Sequence, residues 1–68
     1  MKQVISATSW NGTEFYYNWS KQAFEQSDNV DIYANDHFEC EQANMESAIE
    51  LANKDGLNNV KLETIDNA

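Results

Sequence analysis

VISATSWNGTEFYYNW, residues 4–19, predicts a β-hairpin on which the remaining elements can be arranged. Asn11-Gly12 at its centre is typical of a two-residue type I′ turn, because both central positions of that turn need a positive φ. The implied pairs are Trp10 with Thr13, Thr8 with Phe15, Ser6 with Tyr17 and Val4 with Trp19. Side chains alternate along a strand, so one face should form the core, and it carries Val4, Trp10, Phe15, Tyr17 and Trp19. We expect the other face to be half solvated, and it carries Ile5, Ala7, Glu14, Tyr16 and Asn18.

A short helix over residues 21–27 is expected after the hairpin. Ser20 is a suitable N-cap for it, and Trp19 and Phe24 have the spacing of a hydrophobic staple. Residues 28–38 are ambiguous, because their apolar residues fit both a helical and a strand spacing. Polar Asp and Asn interrupt any strand in this segment, which favours a helix or an irregular turn.

Residues 39–54 predict a longer helix that ends at Gly56, a residue typical of the position after a helix. Its apolar stripe consists of Met45, Ala48, Ile49 and Ala52. Residues 60–65 alternate and predict a third strand, with Val60 and Leu62 facing inward. The sequence therefore predicts one α+β domain over residues 1–68. Its three-stranded antiparallel sheet consists of the N-terminal hairpin and the C-terminal strand, with two or three helices packed on one face.

The negative charge is concentrated in the middle of the chain. The formal net charge is -8, and eight acids with no lysine lie between Gln22 and Asn53. The other four acids balance the four lysines, 4 − 4 = 0. Acidity keeps a small protein in solution, but solubility does not require one segment to carry it all. A field of this sign repels nucleic acid and anionic membranes and attracts basic surfaces.

The residues do not supply the groups that an enzyme or a metal centre needs. His37 and Cys40 are close in sequence, but the acids around them raise a thiol pKa. Two ligands also fall short of the four in a structural zinc site. The acids of residues 28–39 lack the central glycine of an EF-hand loop. We therefore expect no catalytic residue, no metal and no cofactor.

The chain is expected to work in the cytosol. Cys40 is the single cysteine, which is typical of a reducing compartment. No apolar run approaches the ~20 residues that span a bilayer. The N-terminal residues also lack an apolar stretch of signal-peptide length.

The acidic surface is the feature that suggests a function. On a helix, Glu46 and Glu50 are separated by roughly 6 Å along the axis, close to the spacing of about 6–7 Å between successive backbone phosphates. Further acids can extend this row, and the expected partner-binding set is Glu25, Asp28, Asp31, Asp36, Glu39, Glu46 and Glu50. The pattern predicts a stoichiometric inhibitor that mimics DNA. Its partner would be a basic nucleic-acid-binding protein, and it would not bind nucleic acid or membranes itself.

Three segments follow one another in an order that resembles a known family: Gly12-Thr13-Glu14-Phe15-Tyr16-Tyr17, Gln22-Ala23-Phe24-Glu25 and Leu51-Ala52-Asn53-Lys54-Asp55-Gly56. Hairpin, acidic middle, helix and terminal strand are similar to those of the short acidic anti-CRISPR proteins of phages, in particular type I-F inhibitors. The resemblance implies a CRISPR-Cas subunit as partner, in the cytosol of a host bacterium. It also implies that Glu25, Asp28 and Asp31 contact that partner. The spacing of residues 28–38 departs from the family.

Two alternatives to this hypothesis remain open. A small accessory or assembly protein would dimerise through an apolar sheet face around Ile5, Ala7 and Tyr16. In general the chain is expected to be a monomer or a weak homodimer. An acidic immunity protein or antitoxin would use the same charge against the basic active site of a toxin.

Overall fold

A computed structural model describes residues 2–66, which form an antiparallel sheet with one α-helix. The strands are β1 (Lys2–Thr8), β2 (Glu14–Asn18), β3 (Ala23–Gln26) and β4 (Asn58–Ile65), and the helix is α1 (Met45–Asp55). Short 3-10 turns occupy Ser27–Asn29, Asp36–Phe38 and Gln42–Asn44. The strand order is β3-β2-β1-β4. The α+β class and the antiparallel sheet are confirmed, but the described residues form four strands and one α-helix instead of three strands and two or three helices.

The hairpin pairs in a register one residue away from the predicted one. Ser6 pairs with Tyr16, and Thr8 pairs with Glu14. Gly12 has a φ of 87°, but Asn11 is not in the left-handed region, so the two residues do not form a type I′ turn. The connection is instead a longer loop, closed by hydrogen bonds from the Ser9 amide to the Thr13 carbonyl at 2.9 Å and from the Gly12 amide to the Ser9 carbonyl at 3.0 Å.

This one-residue shift exchanges the two faces of β1 relative to those of β2. Ile5 and Ala7 now share a face with Tyr17, and all three are buried beneath α1. The prediction that Ile5 and Ala7 lie on a half-solvated face is therefore wrong. Trp10 and Trp19 are also not core residues, since 89% of Trp10 and 45% of Trp19 is exposed.

The helix predicted over residues 21–27 is absent, and β3 takes its place. The Asn18 side chain accepts hydrogen bonds from the amides of Ser20 at 2.9 Å and Lys21 at 3.0 Å, which tightens the turn after β2. Gln22 completes the reversal with a φ of 53°. Phe24 then lies beside Tyr17, with ring centroids 5.4 Å apart. Burial of this aromatic pair favours the strand over the local helix signal.

Helix α1 begins at Met45, later than the predicted start, because a 3-10 turn precedes it. The predicted end is confirmed: Gly56 adopts the left-handed conformation with a φ of 75°. Ala48 and Ala52 are fully buried against the sheet, whereas Ile49 is 43% exposed. The buried stripe is thus rotated away from Ile49, and Val60 and Leu62 of β4 pack against this side as predicted.

The opposite face of the sheet is crossed by residues 27–40, which we call the covering segment, and its last residue, Cys40, is buried with Ile5 and Tyr17 on the α1 side. Ile32 and Phe38 in this segment pack on Val4. The Lys2 ammonium group donates hydrogen bonds to the carbonyls of Ile32 at 2.7 Å and Asn35 at 3.2 Å. Of the two conformations left open for residues 28–38, the irregular turn is the one observed. The predicted packing of helices on a single face is wrong, because both faces of the sheet are covered.

Two aromatic truncations test this arrangement. Phe38→Ala should lower the free energy of unfolding by about 3–5 kcal/mol, because it opens a cavity under the covering segment. Trp10→Ala is the matched control, since it removes an aromatic side chain that is 89% exposed. It should change the free energy of unfolding by no more than about 0.5 kcal/mol. Urea denaturation followed by circular dichroism measures both, and equal effects would contradict the packing.

Candidate acidic interface

Three of the predicted partner-binding acids line one open groove. Glu25 from β3 and Asp31 and Asp36 from the covering segment border a groove of about 570 Å³. Lys21 and His37 are also among its walls. The groove lies between β3 and the covering segment, which follows β3 directly in the chain.

A second cleft, of about 650 Å³, gathers acids from the end of the covering segment. Asp36, Glu39 and Glu41 line it together with Trp19 and the polar side chains Gln3, Asn44 and Thr64. The Cys40 amide donates a 2.8 Å hydrogen bond to the Gln3 carbonyl, which holds Glu39 and Glu41 beside the edge of β1. Among the residues of this cleft that the structure describes, none is basic.

Asp36 borders both the groove and the cleft, so their acids form one continuous feature. We call it the acidic strip, and it consists of Glu25, Asp31, Asp36, Glu39 and Glu41. Four of these were predicted as partner-binding residues. Glu41 was not in the expected partner-binding set, although it ends the run of acids, from Glu25 through Glu41, that was expected to extend the row.

The other three predicted acids are not part of the strip. Asp28 is exposed in the turn Ser27–Asn29. Glu46 and Glu50 are exposed on α1, which covers the sheet face opposite to the covering segment. Glu50 lines a different cleft, where Lys54 is also present. Glu46 and Glu50 line neither the groove nor the second cleft, so the predicted row that joins them to the central acids is not observed.

The lysines leave most of the charge on the strip unbalanced. Lys21 forms an ion pair with Glu25 at 3.6 Å, and its side chain is 67% exposed. A pair this exposed contributes little, about 0–1 kcal/mol. Lys2 is buried against the carbonyls of the covering segment, and Lys61 pairs with Glu63 at 3.2 Å.

Two strip acids also have local structural roles. The Asp31 carboxylate accepts hydrogen bonds from the amides of Tyr33 at 3.0 Å and Ala34 at 3.3 Å. Glu25 accepts a 2.9 Å hydrogen bond from the Asn18 side-chain amide. Because these carboxylates act as acceptors, Asn or Gln at the same positions can remove the charge and keep an acceptor oxygen.

Trp19 is the residue of this region that the sequence assigned wrongly, since it was expected in the core. Its indole nitrogen donates to the Asp36 carbonyl at 3.2 Å. Its ring also contacts His37 edge to face, with centroids 5.7 Å apart. The indole is thereby fixed beside the acids with nearly half of its surface exposed. An aromatic face in this position can stack on a guanidinium group.

The surroundings of Cys40 do not favour a reactive thiol. The Cys40 thiol is buried and donates to the Tyr17 carbonyl at 3.8 Å, and burial raises the pKa of this thiol. A raised pKa lowers the fraction of the reactive thiolate. Within residues 2–66 no group of three His, Cys, Asp or Glu side chains is arranged to hold a metal ion.

No protein-family model, curated protein or solved structure matches the chain. The resemblance to anti-CRISPR proteins therefore stays a prediction. None of the helices formed by residues 2–66 has the length and apolarity to cross a membrane.

Tyr16 packs under the covering segment. Its raised pKa leads us to expect a specific change of stability at alkaline pH. Burial, together with a hydrogen bond to Glu14, raises the pKa of Tyr16 from its ordinary 10.0 to about 12. A raised pKa in the folded state means that this contribution to stability is complete below pH 10 and is lost as the pH rises through about 12. Tyr16→Phe should therefore lose less of its free energy of unfolding across this interval than the unchanged protein.

Tyr33→Phe removes the hydroxyl of a tyrosine that is 56% exposed and serves as the control. Denaturation series at stepped pH provide the comparison, and identical pH profiles for Tyr16→Phe and the unchanged protein would contradict it.

Proposed function

We propose that the protein is a stoichiometric inhibitor that occupies the basic nucleic-acid-binding site of a defence complex such as CRISPR-Cas. In this proposal the acidic strip takes the position of a phosphate backbone. The observation that supports it is the continuity of the strip: five carboxylates line two clefts joined at Asp36, with one exposed lysine against them.

The physical basis is electrostatic attraction between unlike surfaces. A net charge of -8 on 68 residues gives a field that accelerates the approach of a basic partner. At physiological ionic strength this attraction is screened beyond about 8 Å. Binding should therefore depend on the strip residues that reach the partner, and it should weaken as salt is added.

Trp19 adds a contact that phosphate groups do not offer. Its exposed indole lies in the same cleft as Asp36, Glu39 and Glu41. An arginine that normally binds a phosphate could pair with one of these carboxylates and stack on the indole at the same time. A basic site rich in arginine is therefore the partner chemistry that this cleft fits best.

The family resemblance supports the same type of partner. Of the three acids that it implies as contacts, Glu25 and Asp31 line the groove, and Asp28 lies outside it. Under the proposal, a type I-F surveillance complex in the bacterial cytosol is the first partner to test. The accessory-dimer alternative loses the surface on which it depended, because Ile5 and Ala7 are fully buried beneath α1.

Two double substitutions of equal charge test the proposal. Asp36→Asn with Glu39→Gln neutralises the middle of the strip, whereas Glu46→Gln with Glu50→Gln neutralises two acids on α1. Each changes the net charge from -8 to -6, since −8 + 2 = −6. The strip variant should bind a purified type I-F surveillance complex at least about tenfold more weakly, a loss of 1.4 kcal/mol or more. The α1 variant should stay within about threefold of the unchanged protein.

The assay is competition with a DNA target for the complex, at low and at raised salt, with circular dichroism to verify folding. Equal losses in the two variants would show that net charge alone matters and would contradict a defined interface. Failure of the unchanged protein to displace DNA from the complex would contradict this partner. Displacement of a nuclease toxin from its substrate instead would favour the immunity-protein alternative.

A further inference from the structure

Strand β4 is an edge of the sheet, and of its residues Thr64 alone lines the cleft of the acidic strip. It is the longest strand, with eight residues. Among the described strands, only β1 pairs with it. An edge of this length presents a row of main-chain donors and acceptors that can pair with another strand.

Hydrogen bonds on the far side of β1 identify which β4 groups point outward. The Gln3 carbonyl accepts a hydrogen bond from the Cys40 amide, so the main chain of Gln3 points away from β4. Main-chain directions alternate along a strand, and Val4 and Ser6 therefore point toward β4. Their partners Glu63 and Lys61 point back toward β1. It follows that the main-chain groups of Val60, Leu62 and Thr64 point outward.

A bulge limits the part of β4 that can accept a new strand. Ser6 pairs with Lys61 and Thr8 with Asn58, so β4 contains one residue more than β1 between these pairs. Asn59 has a φ of 56° within this bulge. Bulges increase the local twist of a strand. Val60 is the second residue of this bulge but does not have a positive φ, so the edge available to a new strand extends from Val60 to the end of the strand.

The sequence of this part of the edge is complementary to itself. When two copies of β4 lie antiparallel with Leu62 opposite Leu62, Lys61 of each copy lies opposite Glu63 of the other. Val60 then lies opposite Thr64, so every outward-pointing residue of one copy faces an outward-pointing residue of the other. Both the charges and the hydrogen-bonding positions match in this one register.

We propose that the protein forms a two-fold homodimer in which β4 pairs with β4 of a second copy, centred on Leu62. The two four-stranded sheets then continue as one. The pairing supplies about six main-chain hydrogen bonds, two for each hydrogen-bonded pair, and two cross-strand ion pairs. Each copy carries a net charge of -8, so general repulsion opposes association and the dimer is a weak one.

A second copy is the occupant because the charge pattern selects it. A second β4 places an acid opposite Lys61 and a base opposite Glu63 by symmetry. An unrelated strand would do so only if its own sequence carried both charges at the matching positions. Within one copy these side chains already form a 3.2 Å ion pair, with 61% of Lys61 and 32% of Glu63 exposed. Part of each side chain is therefore accessible to a neighbouring strand.

Charge reversal and charge exchange test the dimer. Sedimentation velocity should show the unchanged protein shifting from 7.8 kDa toward twice that mass as its concentration rises to about 1 mM. Lys61→Glu or Glu63→Lys places like charges opposite each other at two positions and should weaken association about tenfold. The exchanged variant, Lys61→Glu with Glu63→Lys, restores both pairs and should associate within about threefold of the unchanged protein.

Glu63→Lys separates this register from general charge effects. It reduces the net charge from -8 to -6, since −8 + 2 = −6, and so it should promote association if repulsion alone mattered. The β4 dimer predicts weaker association instead. Circular dichroism of the exchanged variant verifies that the fold tolerates both substitutions. An unchanged protein that stays at 7.8 kDa, or a Glu63→Lys variant that dimerises as well as it, would overturn the proposal. Neither residue lines the groove or the cleft of the strip, so inhibitor activity is tested separately.

Discussion

Burial of β1 on both of its faces is the constraint that organises this small domain. Val4, Ile5 and Ala7 are fully buried, although they point to opposite sides of the sheet. Among residues 2–66, one α-helix covers one side of the sheet and irregular structure covers the other. The covering segment directs Ile32 and Phe38 inward. Burial of such side chains is the main term that holds a small domain together.

The position of the charge follows from this packing. Because the apolar side chains of the covering segment face the sheet, its acids point outward or toward the ends of the segment. Lys2 reinforces the arrangement, since its ammonium group binds two carbonyls of the segment and is not available at the surface. The segment thus combines two roles, as a layer of the core and as the carrier of most of the strip.

The sequence predicted the features that depend on local signals. The α+β class, the helix end at Gly56 and the inward positions of Val60 and Leu62 all follow from periodicity and capping. The hairpin register could not be predicted, because the loop is closed by Ser9 and Thr13 instead of by a type I′ turn. Strand β3 is four residues long, too short for its alternation to outweigh a helix signal. Trp19 became part of the cleft only through tertiary contacts, which a local pattern does not contain.

Residue-resolved amide hydrogen exchange by NMR tests most directly whether the covering segment is a fixed layer of the fold. Its main chain is tied to the sheet by hydrogen bonds from the Trp19 amide to the His37 carbonyl at 3.1 Å and from the Cys40 amide to the Gln3 carbonyl at 2.8 Å. If the segment is fixed, both amides exchange as slowly as those in the centre of β1. If they exchange at the rate of an unfolded chain while β1 and α1 stay protected, the segment is not a layer of the core, and the acidic strip has no defined shape.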